Sequence, residues 1–357
     1  MKKTLKNGET LAIKTLVPPL GDYARHVGCW GDIREELLAG QMKQWLYTPY
    51  FIGEIDGEVA GSMTYFAPVG QVDVGAVEFV GTTETHRRKG VASALMSALI
   101  DHFRDRGGQA LYLCTTNPHA GALYEQHGFR YKIGDGMRYL APGAEDFDQT
   151  YLSFCGAAHI RPATWSDLAG TTVLYNHPEP DWLVKEYLTQ CFRDTRFESH
   201  FIKLMRRTED RRGIFLILEN SRQRLVGSAI VERLGTFYEQ HAATLSFRLC
   251  PAYLPQTTQL LEAAIREANT LGIATLQTFI AADDQDQIDL VHNTGFSKEA
   301  HLPQRLRDGD HRTDLLIYTH HLDSNVPSPR TRDDYYGERK PWQQERLGKP
   351  IASNSDN

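Results

Sequence analysis

At 357 residues the chain is long for one domain and comfortable for two, and either would be large enough to bury a core. Its composition is that of an ordinary globular protein, and a net charge of −6, from 39 Lys+Arg against 45 Asp+Glu, provides no basic field for nucleic acid or an anionic membrane. The basic start Met1-Lys2-Lys3 runs into Asn7-Gly8-Glu9 instead of an apolar core, no apolar run approaches membrane-spanning length, and the five cysteines include no CxxC pair, so the expectation is a cytoplasmic protein with reduced thiols.

In chain order, residues 11–18 predict a first strand and residues 33–46 a helix. Asp56-Gly57 between the apolar runs 50–55 and 59–66 predicts a tight hairpin. Residues 74–80 are apolar, β-branched and aromatic enough for a buried strand, and Glu78 stands on it. From Gly90 onward Val91, Ala94, Leu95, Ala98 and Leu99 recur at helical spacing, so Arg87-Arg88-Lys89-Gly90-Val91-Ala92 joins a strand to a helix. The first N–H groups of such a helix are unpaired and lie at the positive end of its dipole, which suits phosphate oxygens. Gly90 lets the backbone approach the anion, and Arg87, Arg88 and Lys89 add mobile positive charge around it. Gly107-Gly108 ends the helix, Ala110–Cys114 reads as a strand and residues 117–127 as a helix; a closing pair of strands and the loop Ala141-Pro142-Gly143 complete a first domain over residues 1–157. Cys114 has no histidine at a spacing that would make it a nucleophile and reads as a structural thiol, and the fourteen histidines show no metal-binding spacing.

Glu78 lies nine positions before Arg87, and Asn117, Ala120, Tyr124, Gly128 and Phe129 follow the Ala110 strand in register. This arrangement resembles the acetyl-CoA-binding core of the GNAT N-acetyltransferase superfamily. The resemblance implies an α/β fold in which a mixed, mostly antiparallel sheet is flanked by helices. It implies acetyl-CoA as co-substrate, with no metal. Arg87, Arg88, Lys89, Gly90, Val91, Ala92 and Ser93 would hold the pyrophosphate, and Asn117, Ala120 and Tyr124 would line the rest of the cofactor, Asn117 at the pantetheine arm. Phe79, Val80, Gly81 and Thr82 would form a strand segment, bulged in this family, that lends a backbone N–H to the oxyanion. Glu78 would help to deprotonate the amine and Tyr124 would protonate the departing thiolate. Ala92 stands where glycine is commoner, a change of one methyl group.

An alkyl ammonium with a pKa near 10 and a glutamate near 4.3 make direct proton transfer uphill by roughly 8 kcal/mol in water. Glu78 therefore works either through a water relay or on an amine whose pKa the cleft has depressed, whereas Tyr124 is protonated at neutral pH and able to donate. Specificity in this fold comes from the early helical segment and neighbouring loops, here Cys29-Trp30-Gly31-Asp32 and residues 47–50. These could hold a cationic or aromatic amine, but Asp32 as N-cap of the helix at Ile33 is the favoured expectation.

At Ile160-Arg161-Pro162-Ala163 the chain starts again, with Gly227-Ser228, Leu260, Gly272 and Gly295-Phe296 repeating features of the first half at a shift of about 165 residues. A second domain of the same fold is expected over residues 158–323. Its chemistry is expected to be lost, because Pro255 falls where Gly90 stands, Ala243 where Glu78 stands and Val291 where Tyr124 stands. Residues 324–357, polar and without apolar period, read as a disordered tail. The expected protein is a small-molecule N-acetyltransferase that binds no nucleic acid or membrane, with a peptide amine acceptor or a non-catalytic acyl-CoA module as the alternatives. The repeat makes it an internal pseudo-dimer, as a monomer or as a homodimer.

Overall fold

The computed structural model describes residues 1–176, 197–233, 239, 241–308 and 310–322; the tail expected over 324–357 lies outside the described residues. The first half contains β1 (Lys2–Thr4), β2 (Thr10–Leu16), α1 (Arg34–Leu38), β3 (Leu46–Tyr47), β4 (Tyr50–Ile55), β5 (Glu58–Pro68), β6 (Val74–Thr82), α2 (Val91–Asp105), β7 (Ala110–Cys114), α3 (Pro118–Gln126), β8 (Arg130–Ile133), β9 (Gly136–Leu140) and α4 (Phe147–Tyr151). Its strands form one sheet in the order β1-β2-β4-β5-β6-β7-β9-β8, with β3 against β5. The β6–β7 pair is parallel and its neighbours are antiparallel. Parallel pairing joins Val74, Gly75 and Ala76 to Ala110, Leu111 and Tyr112 and then stops, although β6 runs on to Thr82.

The predicted elements form for the expected reasons. Asp56 and Gly57 both take positive φ, 51° and 83°, as a two-residue hairpin turn requires. One face of α2 buries Val91, Ala94, Leu95, Met96, Leu99, Ile100 and Phe103 in the core. The helix expected over 33–46 is shorter than its pattern: after a single 3-10 turn at Gly31–Ile33, α1 ends at Leu38 because Gly40 adopts a left-handed φ of 79° and closes the helix end with its N–H on the Leu37 carbonyl. Asp32 is not its cap, since Trp30 and Ile33 occupy the two capping positions and neither caps through its side chain. Exposed, polar β1 carries no apolar alternation and was invisible to the sequence pattern.

The second half contains β10 (His159–Pro162), α5 (Leu168–Tyr175), α6 (Phe197–Glu209), β11 (Gly213–Glu219), β12 (Leu225–Arg233), β13 (Ala242–Leu249), α7 (Thr257–Thr270), β14 (Thr275–Ala281), α8 (Gln285–Asn293), β15 (Ser297–Asp308) and β16 (His311–His321). The sheet order β10-β11-β12-β13-β14-β16-β15 repeats the first sheet from β2 onward, including one parallel pair, β13–β14. Helix α5 packs on β5 and β6 of the first sheet and on β12 and β13 of the second. Every residue from Leu168 to Leu174 is buried, so this helix has no solvent face. Around it the halves are tied by Arg224 to Asp73 at 3.0 Å, by the Gln71 amide donating to Gln223 at 2.9 Å, and by Arg206 to Glu36. A cavity of about 170 Å³ in this seam is lined by Val74, Tyr151, Arg161, Asp167 and Glu219, with Arg161 bonded to both carboxylates. It opens beside the first residue of β6, at the other end of the strand from Thr82.

Candidate active site

Strand β6 breaks its regular pairing at Glu78. Ser62 pairs with Gly81 and Thr64 with Glu78, so two steps along β5 face three along β6, and the extra residue forms a bulge. Within it Phe79 takes a φ of 55°, a left-handed conformation that costs a side chain of this size about 1 to 3 kcal/mol. The loop before α1 is fitted to that bulge: a Cβ on Gly28 would lie 2.6 Å from the Phe79 Cβ, and the Trp30 ring meets those of Phe79 and Phe66, both at 4.8 Å between centroids. Only glycine at position 28 permits this approach.

The bulge also changes which face Phe79 occupies. Thr64 and Phe66 pair with Glu78 and Ala76, so these four residues share a face, while Tyr65 and Val77 share the opposite one. Tyr65 packs on Phe103 of α2, which identifies the opposite face as the α2 face. In a regular strand Phe79 would follow Val77 there. Its ring instead contacts Phe66 and Trp30, which places it beside Glu78. Glu78, Phe79, Val80 and Trp30 are all half-buried.

The turn leading into α2 has Arg88 and Gly90 both left-handed, at φ 64° and 93°, and Gly90 is the N-cap residue with no side chain capping the helix. Arg87 and Arg88 are exposed. Lys89 is already engaged, its ammonium 3.0 Å from Glu9 and 3.3 Å from His86. Val91 is buried, its methyl 3.1 Å from where a Cβ on Gly61 would stand, so its side chain serves the core while its backbone opens the helix. Ala92 and Ser93 are half-buried, and the Ser93 hydroxyl meets His127 Nε2 at 2.9 Å. Burial lowers the His127 pKa, so the ring is neutral at pH 7 and can accept the serine proton.

Asn117 caps α3, its side-chain oxygen accepting from the N–H groups of His119 at 2.9 Å and Ala120 at 3.4 Å. That oxygen is therefore committed, and Nδ2 is the group left to meet a ligand. Ala120 is half-buried one turn along the helix, Gly81 is exposed, and Thr82 is half-buried at the end of β6. Tyr124 is 6% exposed and packs on Phe129. Burial first, and then the charge of Glu78, push the Tyr124 pKa up to about 12. The phenol therefore stays protonated throughout the neutral range.

The second half has no such constellation among its described residues. Register places Ser246, paired with Ile230, at the position of Glu78, and not Ala243, which lies nearer the start of β13; the β12–β13 ladder runs without a bulge. The N-cap of α7 is Gln256, so it is Gln256 that stands where Gly90 does, with Pro255 one residue earlier. Val291 does match Tyr124: the Phe296 N–H donates to its carbonyl at 3.0 Å, as Phe129 donates to that of Tyr124 at 3.1 Å. Gln287, 3% exposed, occupies the position of Ala120, and Asp284 caps α8 as Asn117 caps α3.

The acetyltransferase (GNAT) family pattern matches residues 22–129, a span that contains Glu78, the 87–92 turn, Asn117 and Tyr124. Among solved structures, yncA from Salmonella typhimurium with its cofactor acetyl-CoA is 22% identical, over 49% of this chain and 100% of that one, with a TM-score of 0.42. A phosphinothricin acetyltransferase from Sinorhizobium meliloti in complex with acetyl-CoA is 16% identical, over 50% and 95%, with a TM-score of 0.42. A ribosomal-protein-alanine N-acetyltransferase from Brucella melitensis is 23% identical, over 46% and 99%, with a TM-score of 0.39. A search of the curated proteins finds no match.

Proposed function

Starting from a GNAT acetyltransferase domain at residues 22–129, we propose that the protein transfers the acetyl group of acetyl-CoA to a primary amine of a small molecule, by direct attack in a ternary complex. The observation that carries this reading is that Glu78, at the bulge beyond the gap where β6 parts from β7, and the buried phenol of Tyr124 accompany the uncapped helix start of α2. Binding alone would need the helix start but neither of these groups.

In this mechanism the uncapped start of α2, with Arg87 and Arg88, receives the pyrophosphate. The thioester reaches the gap from the α2 side and the amine from the Glu78 face. Glu78 removes the ammonium proton through water, or takes it directly from an amine whose pKa the cleft has lowered. The amine nitrogen then bonds to the thioester carbon, and a backbone N–H from the Phe79–Thr82 segment meets the oxyanion. As the carbon–sulfur bond breaks, the sulfur takes the electron pair and the Tyr124 hydroxyl proton, the second proton of the nitrogen leaves to solvent, from which Tyr124 is reprotonated, and amide and free CoA depart.

We assign this chemistry to residues 1–157 and regard 158–323 as a degenerate copy that shields the acceptor side and binds no second acetyl-CoA. A cytoplasmic monomer is the setting this reading takes. The test is a screen of amines with acetyl-CoA that follows free thiol. Release that depends on the amine and collapses in Tyr124→Phe supports transfer; acetyl-CoA binding without release for any small or peptide amine would overturn it.

A further inference from the structure

We infer that the acceptor is an amine borne on an aromatic-sized apolar body, which lies against Trp30 and Phe79 while its nitrogen sits at Glu78. The inference rests on the acetyl transfer proposed above and adds the class of acceptor. A regular strand would have shown the acceptor side a carboxylate and turned the next side chain into the core under α2. The bulge instead brings the Phe79 ring round to the Glu78 face, at the cost of a left-handed phenylalanine. Sequence position 79 alone would not require that, because any strand can carry a glutamate without a bulge. The turned ring meets a second aromatic, Trp30, edge-on at 76°, and both remain half-buried. Cys29, between Gly28 and Trp30, packs against the same apolar cluster as Trp30 and Phe79, and burial pushes its thiol up to about 11 and keeps it uncharged.

A single ammonium on a flat apolar group can meet Glu78 and cover the indole and phenyl rings together. Burying a ring of that size against such a wall raises kcat/KM by roughly tenfold or more over a short alkylamine.

The experiment compares ethylamine, phenethylamine, tryptamine and spermidine, by thiol release for turnover and by calorimetry for binding to the acetyl-CoA-analogue complex formed with desulfo-CoA. Expected are a kcat/KM for phenethylamine at least tenfold above ethylamine, a rise in its KM of fivefold or more in Trp30→Ala, and recovery in Trp30→Phe. The acetyl-CoA dissociation constant, unchanged in both variants, verifies that they fold. Ethylamine or spermidine turned over as well as phenethylamine overturns the acceptor class while leaving the transferase standing. Phenethylamine binding that needs Trp30 but yields no thiol supports the wall and overturns the transferase. An aromatic amine whose KM and affinity ignore Trp30 overturns the wall.

Discussion

The two sheets share a strand order and part company at the residues to which the proposed chemistry is assigned. In the first, β6 is bulged, the entry to α2 is left-handed at Gly90, and Tyr124 is buried against Phe129. In the second, β13 pairs without interruption, Gln256 starts α7, and Val291 and buried Gln287 replace Tyr124 and Ala120. The scaffold therefore depends on core packing and strand register, which both halves satisfy. The proposed site depends on local departures from regular structure that only one half shows among the described residues.

The sharpest way to break this contrast is Tyr124→Phe. Loss of the proton donor should lower kcat about 100-fold while leaving acetyl-CoA affinity within about twofold. With a donor held near pKa 12, the wild-type rate should also show no alkaline fall attributable to this group below about pH 10, which a pH–rate profile will show. Equal kcat in the two proteins would reduce Tyr124 to a packing residue.

Next in size is the helix entry. Nothing lies within 4 Å of a Cβ at Gly90, so Gly90→Ala perturbs the backbone alone; forcing an L side chain to φ 93° should weaken acetyl-CoA binding roughly tenfold by calorimetry. Gln256→Ala, at the matching helix start, should change the affinity by less than about twofold. A comparable loss from both would mean that both halves bind. The same titration gives the stoichiometry, expected as one acetyl-CoA per chain, and two equivalent sites would erase the distinction between the halves.

The smallest effect separates His127 from Thr294, which ends α8 as His127 ends α3. Because burial lowers the folded-state pKa of His127, the unfolded chain binds more protons as pH falls below the ordinary histidine value of about 6.5. Its contribution to stability is complete above that pH and declines below it. Melting temperature should therefore drop less steeply between pH 7 and pH 5 in His127→Gln than in wild type, whereas Thr294→Val should leave the slope unaltered.

Regular elements were legible in the sequence because their signals are local. The Asp56-Gly57 turn, the α2 periodicity and the Ala110–Cys114 strand stand where apolar spacing and turn chemistry put them. The early stop of α1 depended on one glycine inside an otherwise helical pattern. The matching of the halves slipped for a different reason: the connection from β12 to β13 is longer than that from β5 to β6, which moves the partner of Ile230 to Ser246, and the β6 bulge then takes back one residue before α7, so Ser246 and Gln256 were displaced by Ala243 and Pro255. Glu78 and Tyr124 could be picked out singly, but not their mutual influence, nor the turned ring of Phe79. Trp30 was read as part of a cap because its contacts lie across the sheet, out of reach of sequence spacing.

Helix α5, buried along Leu168–Leu174 between the two sheets, links the fates of both halves. A helix with a solvent face can detach and leave each sheet with its own core; this one is core to both, so melting either sheet strips apolar surface from the other. The chain should consequently unfold as one cooperative unit, with the slowest-exchanging amides of β5 and β12 opening at the same free energy.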